Sequence, residues 1–195
     1  MVFQEYLQQK FKINEELPFA ISSHQYKKGE IITPIETVER NIYYVVSGIV
    51  EICMPIKTGD RIMDIAFGGQ MTTVLSSMLS EKPSDVFLVA LTNCEIQAIP
   101  FAKLKEACKT PSVASKFYTS FMEHAYLVRI KKEKNFLTKN AKQRYLDLLK
   151  NRPEIIQEIS IDHIAKYLGI NAHSLSRIRG EIARNSEKMP ADNNR

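Results

Sequence analysis

Ile161 to Ile182 reads IDHIAKYLGINAHSLSRIRGEI, and its apolar residues, its glycine and its basic residues fall where a helix-turn-helix requires them. Ile161, Ile164, Ala165 and Leu168 recur at three- and four-residue steps, and after Gly169-Ile170-Asn171 the stripe resumes at Leu175, Ile178 and Ile182. That spacing predicts two short amphipathic helices. Gly169 suits the left-handed conformation that ends the first helix, Asn171 the N-cap of the second, and Ser160 the N-cap of the first. Ala165 is small where the two helices would cross.

Stepping round the second helix at 100° per residue sets His173, Ser176, Arg177, Gly180 and Arg184 opposite the apolar stripe, with Ser174 and Arg179 beside them. A face of this composition suits a DNA groove. An arginine such as Arg177 can bond guanine in bidentate fashion, and Ser176 and His173 offer adaptable hydrogen bonds. Gly180 costs roughly 1 kcal/mol of helix propensity relative to alanine, a cost offset if it lets the helix approach the phosphate backbone closely. The competing reading is an ordinary helical hairpin with a solvated basic face.

The charge distribution favours DNA. The chain of 195 residues carries a formal net charge of +5, and it is unevenly spread. Residues 1–110 hold 11 basic and 13 acidic side chains, and residues 111–195 hold 16 and 9. Much of the excess lies just ahead of the helix-turn-helix, at Arg129, Lys131, Lys132, Lys134, Lys139, Lys142, Arg144, Lys150 and Arg152. Cations there neutralise phosphates and release counterions, and Lys142 and Arg144 are expected among the DNA contacts.

Pro111 to Leu137 has no internal glycine or proline. It carries a heptad-like seam at Ala114, Phe117, Phe121, His124 and Val128, which suits a long helix paired with its two-fold mate. His124 reads as a packed or partner-bonded histidine, since no second metal ligand lies a turn away. Ahead of this helix, after a polar, helical start to about Ser23, short β-rich runs alternate with turns. They are Glu30 to Thr33, Ile42 to Val46, Ile49 to Met54, Arg61 to Phe67, Val86 to Leu91 and Glu95 to Ile99, punctuated by Lys28-Gly29, Ser47-Gly48 and Gly68-Gly69. Many short strands at this spacing predict a closed roll, with Met71 to Leu79 as an inserted short helix. The fold class is therefore α+β, in three parts. A β-roll with flanking helices occupies residues 1–110, a dimerisation helix 111–138, and a helix-turn-helix domain 139–195.

The chain resembles the Crp/Fnr (catabolite activator type) regulators of bacterial transcription. The likeness rests on YKKGEII at Tyr26 to Ile32, YYVVSGIVEI at Tyr43 to Ile52, FGGQ at Phe67 to Gln70, CEIQAIP at Cys94 to Pro100 and LSRIR at Leu175 to Arg179. It spans nearly the whole chain. It implies an effector domain of cyclic-nucleotide-binding fold, a base-contacting role for Arg177, and double-stranded DNA, a second copy of the chain and RNA polymerase as partners.

The effector pocket implied by the resemblance comprises Gly68, Gly69, Gln70 and Met71 at the turn, Ser84 and Asp85 beyond it, and Val128 and Arg129 on the long helix. These residues depart from the family's pattern. Cyclic-nucleotide binders of the family present an FGE-type turn and an Arg-Ser pair to the sugar-phosphate. Here Gln70 ends the turn, and Ser84-Asp85 stands at the Arg-Ser positions, so the phosphate meets a carboxylate. At an effective dielectric near 20, two like charges about 4 Å apart repel by roughly 4 kcal/mol. The expectation is that cyclic AMP is not the effector, the alternative being a cyclic-nucleotide-responsive regulator with a divergent pocket. Gly68 and Gly69 allow two readings, an anion-binding nest of amides or a plain sharp turn. The recognition helix runs into Asn185-Ser186-Glu187-Lys188 and a short tail, so the β-hairpin wing common in the family is expected to be reduced or absent.

Other classes fit poorly. Metal-assisted catalysis in a β-barrel needs clustered ligands, but none of His24, His124, His163 and His173 lies between Glu30 and Ile99. Neither a Gly-x-x-x-x-Gly-Lys loop nor a credible Ser-His-Asp set occurs, so no enzyme and no catalytic residue is expected. Cys53, Cys94 and Cys108 are too scattered for a disulfide framework. With no membrane-length apolar run and no signal-peptide pattern at MVFQEYLQQKF, a cytoplasmic protein is expected, with no assigned cofactor and no metal. A cyclic-nucleotide sensor without a DNA role would fit the roll but leave Ile161 to Arg184 unexplained.

Overall fold

The computed structural model describes residues 2–57 and 59–187. The chain divides into two compact units, residues 1–130 and 131–195.

The first unit begins with α1 (Phe3–Phe11). This helix is shorter than the polar composition suggested: Lys12 turns left-handed at φ 58°, its N–H bonds the Leu7 carbonyl, and Pro18 bars a helical continuation. Residues Ser22–Tyr26 form strand β1 instead. Strands β2 (Ile31–Thr33), β3 (Asn41–Ser47), β4 (Ile49–Ile56) and β5 (Gly59–Phe67) follow the expected runs closely. A short β6 (Gln70–Thr72), unforeseen in the sequence, pairs with β3 and delays the inserted helix α2 to Leu75–Ser80. Strands β7 (Phe87–Ala90) and β8 (Cys94–Pro100) complete the roll, and α3 (Phe101–Ala107) leaves it.

All strand pairs are antiparallel, and they form two four-stranded sheets of order β1-β8-β3-β6 and β2-β7-β4-β5. Alternate residues meet inside the roll: Tyr43 and Val45, Cys94, Ile96 and Ala98, and Leu88 and Ala90 share one buried cluster. The other face of the β3–β8 sheet is also covered. Ile42, Tyr44 and Ile99 pack with Phe3, Tyr6 and Leu7 of α1 and with Ala114, Phe117 and Phe121 of helix α4 (Val113–Thr138). Burial on both faces explains why NIYYVVS is an apolar run rather than an alternation. Gly48 joins β3 to β4 at φ +88°, where a Cβ would lie 2.4 Å from the Asn93 carbonyl oxygen, so no larger residue fits.

The boundary between the units falls inside α4. In the second unit the chain continues through α5 (Ala141–Asn151), α6 (Pro153–Glu158), α7 (Ile161–Leu168) and α8 (Ala172–Glu187). Buried Tyr145, Leu148, Ile155, Ile164, Ala165, Leu168 and Leu175 supply its interior. The expectation of a missing wing concerns residues 188–195, which lie outside the described residues.

Candidate nucleic-acid interface

The helix-turn-helix is built as its sequence dictates. Ser160 Oγ accepts the His163 N–H at the start of α7, and Gly169 ends the helix at φ 72°. The Ile170 N–H reaches the Ala165 carbonyl (3.0 Å) and the Gly169 N–H the Lys166 carbonyl (3.2 Å), the paired bonds of a Schellman motif. Two residues later Asn171 Oδ1 accepts the Ser174 N–H at 2.8 Å and caps α8. The stripe packs inward at Ile164, Ala165, Leu168 and Leu175, whereas Ile161 is exposed and Ile178 and Ile182 are half-buried.

The opposite face of α8 is open. His173, Ser176, Arg177, Arg179 and Arg184 are exposed, and Ser174 and Gly180 half-exposed. Ser176, Arg177, Gly180, Glu181 and Arg184 line one shallow, solvent-open concavity. Gly180 forms its notch, for a Cβ there would meet nothing within 4 Å. Glu181 was missed by the sequence reading, which sorted α8 by cations and left its carboxylate out. That carboxylate accepts from Lys142 Nζ of α5 at 3.2 Å.

Several other cations of the basic cluster are engaged within the second unit. Lys139 pairs with Asp147, Arg152 with Glu154, and Lys132 lies over the Tyr167 ring. Arg144 is the most committed. Its guanidinium stacks 4.6 Å from the Phe136 ring centroid and donates to the carbonyls of Lys139 (2.7 Å) and Leu168 (3.0 Å), while its Nε is buried with no partner. Its geometry is that of a strut between helix ends.

The seam expected on α4 divides in two. Ala114, Phe117 and Phe121 are buried in the first unit's own core, where Phe117 meets Phe3 and Phe11 edge-on. Contact with α1 and the roll buries the same period of side chains that the heptad pattern picks out. Val128 and His124 are exposed, and the partial desolvation that the His124 ring still meets, with the Lys10 charge beside it, lowers its pKa. Tyr126 and Leu127, absent from the expected seam, are each 65% exposed.

At the turn of the effector positions the backbone amides are spent internally. The Gly68 N–H bonds the Gly48 carbonyl (3.0 Å) and the Gly69 N–H the Val45 carbonyl (2.7 Å), while Phe67 N–H donates to Gln70 Oε1 (3.2 Å). With those amides taken by the Gly48 and Val45 carbonyls and by Gln70, the turn is a sharp reversal rather than a nest. Ser84 is buried, its hydroxyl donating to the Val86 carbonyl and accepting the Val86 N–H, and Asp85 is exposed. Met71 is half-buried, and Arg129 on α4 is exposed. A second buried polar group, Glu39, accepts from Thr33, from Tyr43 and from the Arg40 and Asn41 amides.

Cys53, Cys94 and Cys108 are thiols rather than disulfides. Among the described residues no group of three His, Cys, Asp or Glu side chains is gathered so that it could hold a metal, and no helix is long and apolar enough to cross a membrane.

A roll followed by a long helix and a helix-turn-helix defines the class of fold. Residues 23–110 match the family model of the cyclic nucleotide-binding domain. FixK2 from Bradyrhizobium japonicum superposes with a TM-score of 0.67 at 19% identity, covering 86% of this chain and 87% of FixK2. The c-di-GMP-responsive global regulator CLP of Xanthomonas campestris gives 0.65 at 15%, over 93% of this chain and 92% of CLP. A protein from Eubacterium rectale described as a transcriptional regulator of the Crp/Fnr family gives 0.66 at 16%, over 85% and 79%. No curated protein matches the chain in sequence. The chain thus has a stretch that matches the cyclic nucleotide-binding domain model, within a fold shared with solved structures of Crp/Fnr regulators.

Proposed function

We propose that the protein is a homodimeric, sequence-specific DNA-binding regulator of transcription, not an enzyme. The observation that carries this reading is α8. It is capped by Asn171, anchored by Leu175, and presents Ser176, Arg177, Gly180 and Arg184 outward. Arg177 is the guanine reader, with His173, Ser174 and Ser176 as neighbouring donors and acceptors and Arg179 and Arg184 on phosphates. Lys142 flanks this face, and Arg144 acts from behind it. Two copies joined along α4 would set their recognition helices about 34 Å apart for adjacent major grooves. Exposed Tyr126 and Leu127, next to Val128 and His124, supply the apolar surface for that pairing.

Cyclic AMP is not the controlling ligand in this reading. A phosphate at the roll's turn would compete with the Gly48 and Val45 carbonyls for the glycine amides and would meet Asp85 in place of a cation. The c-di-GMP-responsive neighbour supports the view that the fold is not tied to one effector.

The test is selection of duplexes from a random pool by the wild-type protein, followed by binding of Arg177→Ala to the selected and to random duplexes. The variant is expected to lose about 1–3 kcal/mol on the selected site and far less on random DNA. Equal losses on both would remove Arg177 from base reading, and absence of any enriched sequence would overturn the proposal.

A further inference from the structure

Lys142 reads in sequence as a phosphate contact, yet the structure ties it to a carboxylate on the recognition helix. Glu181 Oε2 lies 3.2 Å from Lys142 Nζ, with about half of the Glu181 side chain and somewhat less of Lys142 open to solvent. Glu181 belongs to the same concavity as Arg177, Gly180 and Arg184. It is the tenth residue of α8, in the third turn. Base edges are read by the N-terminal residues of a recognition helix, so the third turn faces the sugar-phosphate rim. A carboxylate there is repelled by phosphates, and it also occupies the nearest lysine of α5.

We propose that Glu181 attenuates the sequence-independent affinity of α8 for duplexes, holding Lys142 and setting a negative charge at the rim so that phosphate attraction alone does not secure the duplex. The inference rests on the DNA-binding reading above. The sequence-independent share of binding sets how tightly the protein holds any duplex, whereas the gap between the right site and all others is set by base contacts. That share grows with each phosphate neutralised. Freeing Lys142 adds one such neutralisation on every duplex, and base reading through Arg177 gains nothing from it.

The experiment compares wild type, Glu181→Gln, Lys142→Gln and the double variant on a random duplex and on a duplex selected by the wild type, across a salt series. Exposed ion pairs contribute little to folding, so all four chains remain folded; thermal unfolding verifies this. Glu181→Gln is expected to bind random DNA roughly tenfold more tightly at low salt, with the log–log salt slope steeper by about 0.9. The selected duplex is expected to gain by the same factor, leaving the ratio of the two affinities unchanged. Lys142→Gln alone weakens both duplexes, and in the double variant the gain from Glu181→Gln is reduced because no lysine is left to release. An unchanged slope and unchanged random affinity in Glu181→Gln overturn the inference, as does a loss confined to the selected duplex, which would make Glu181 a base reader. Arg177→Ala serves as the control: if the wild type binds no duplex in a salt-dependent manner, the DNA reading itself fails, and this inference with it.

Discussion

The turn at Phe67–Gln70 in the roll and the turn at Gly169–Asn171 in the second unit are both built on glycine, yet they spend their polar groups differently. In the roll, the Gly68 and Gly69 amides are consumed by the Gly48 and Val45 carbonyls and Phe67 by the side chain of Gln70. In the helix-turn-helix the backbone bonds also close, through Ala165 and Lys166, but the side chains that follow point outward. A donor already bonded at close range must lose that bond before it can serve a ligand, and the exchange returns little. The contrast separates a turn whose donors are bonded internally from one that is followed by exposed polar side chains.

The contrast can be broken at its closed side first. Phe117→Ala should cost about 3–5 kcal/mol, because Phe117 is fully buried against Phe3 and Phe11. Denaturant unfolding measures this; full stability with loss of dimerisation would restore Phe117 to an interface between copies. Alkali offers a second route. Burial, helped by Tyr44 at one site and Glu39 at the other, pushes the Tyr6 and Tyr43 phenols from 10.0 up to about 12. The unfolded chain therefore releases these protons first, so stability is complete below pH 10 and falls as pH rises toward 12. Tyr43→Phe should flatten that fall, and an unchanged profile would mean that Tyr43 ionises freely in the folded state.

The open side is tested by Gly180→Ala. The added methyl meets nothing within 4 Å, so the helix should gain about 1 kcal/mol while duplex binding weakens through loss of the notch. Tighter binding would show that the notch has no part in DNA approach. The smallest expected effect is with cyclic AMP, namely no shift in the thermal midpoint. A ligand at a hundred times its Kd adds about 2.7 kcal/mol, and each kcal/mol moves a chain of this size by roughly 2–4 °C, so a rise of several degrees would reopen the roll as a cyclic-nucleotide site.

What the sequence made legible was local. Six strands, the long α4, and α7 with its Ser160 and Gly169 caps follow from periodicity and turn chemistry, which act over a few residues. Strand β1, SSHQY, carried no alternation because almost all of it is exposed; β8 holds it through backbone pairing, which leaves no trace in side-chain type. The same limit governed the functional side chains. A heptad spacing at Phe117 and Phe121 reports burial without naming the partner, and within the chain these side chains share a cluster with α1 and the roll. The Lys142–Glu181 pair joins residues 39 apart, beyond any pattern of spacing.

Arg144 has a mechanical consequence. Its guanidinium touches Phe136 in the last turns of α4, the Lys139 carbonyl just beyond them, and the Leu168 carbonyl at the close of α7. Those points cannot turn independently while both hydrogen bonds persist. Twisting the tail of α4 therefore drags the end of α7, and the turn at Gly169 passes the torque to the start of α8. One planar side chain thus ties the tail of α4 to the end of α7, the helix that leads through Gly169 into α8.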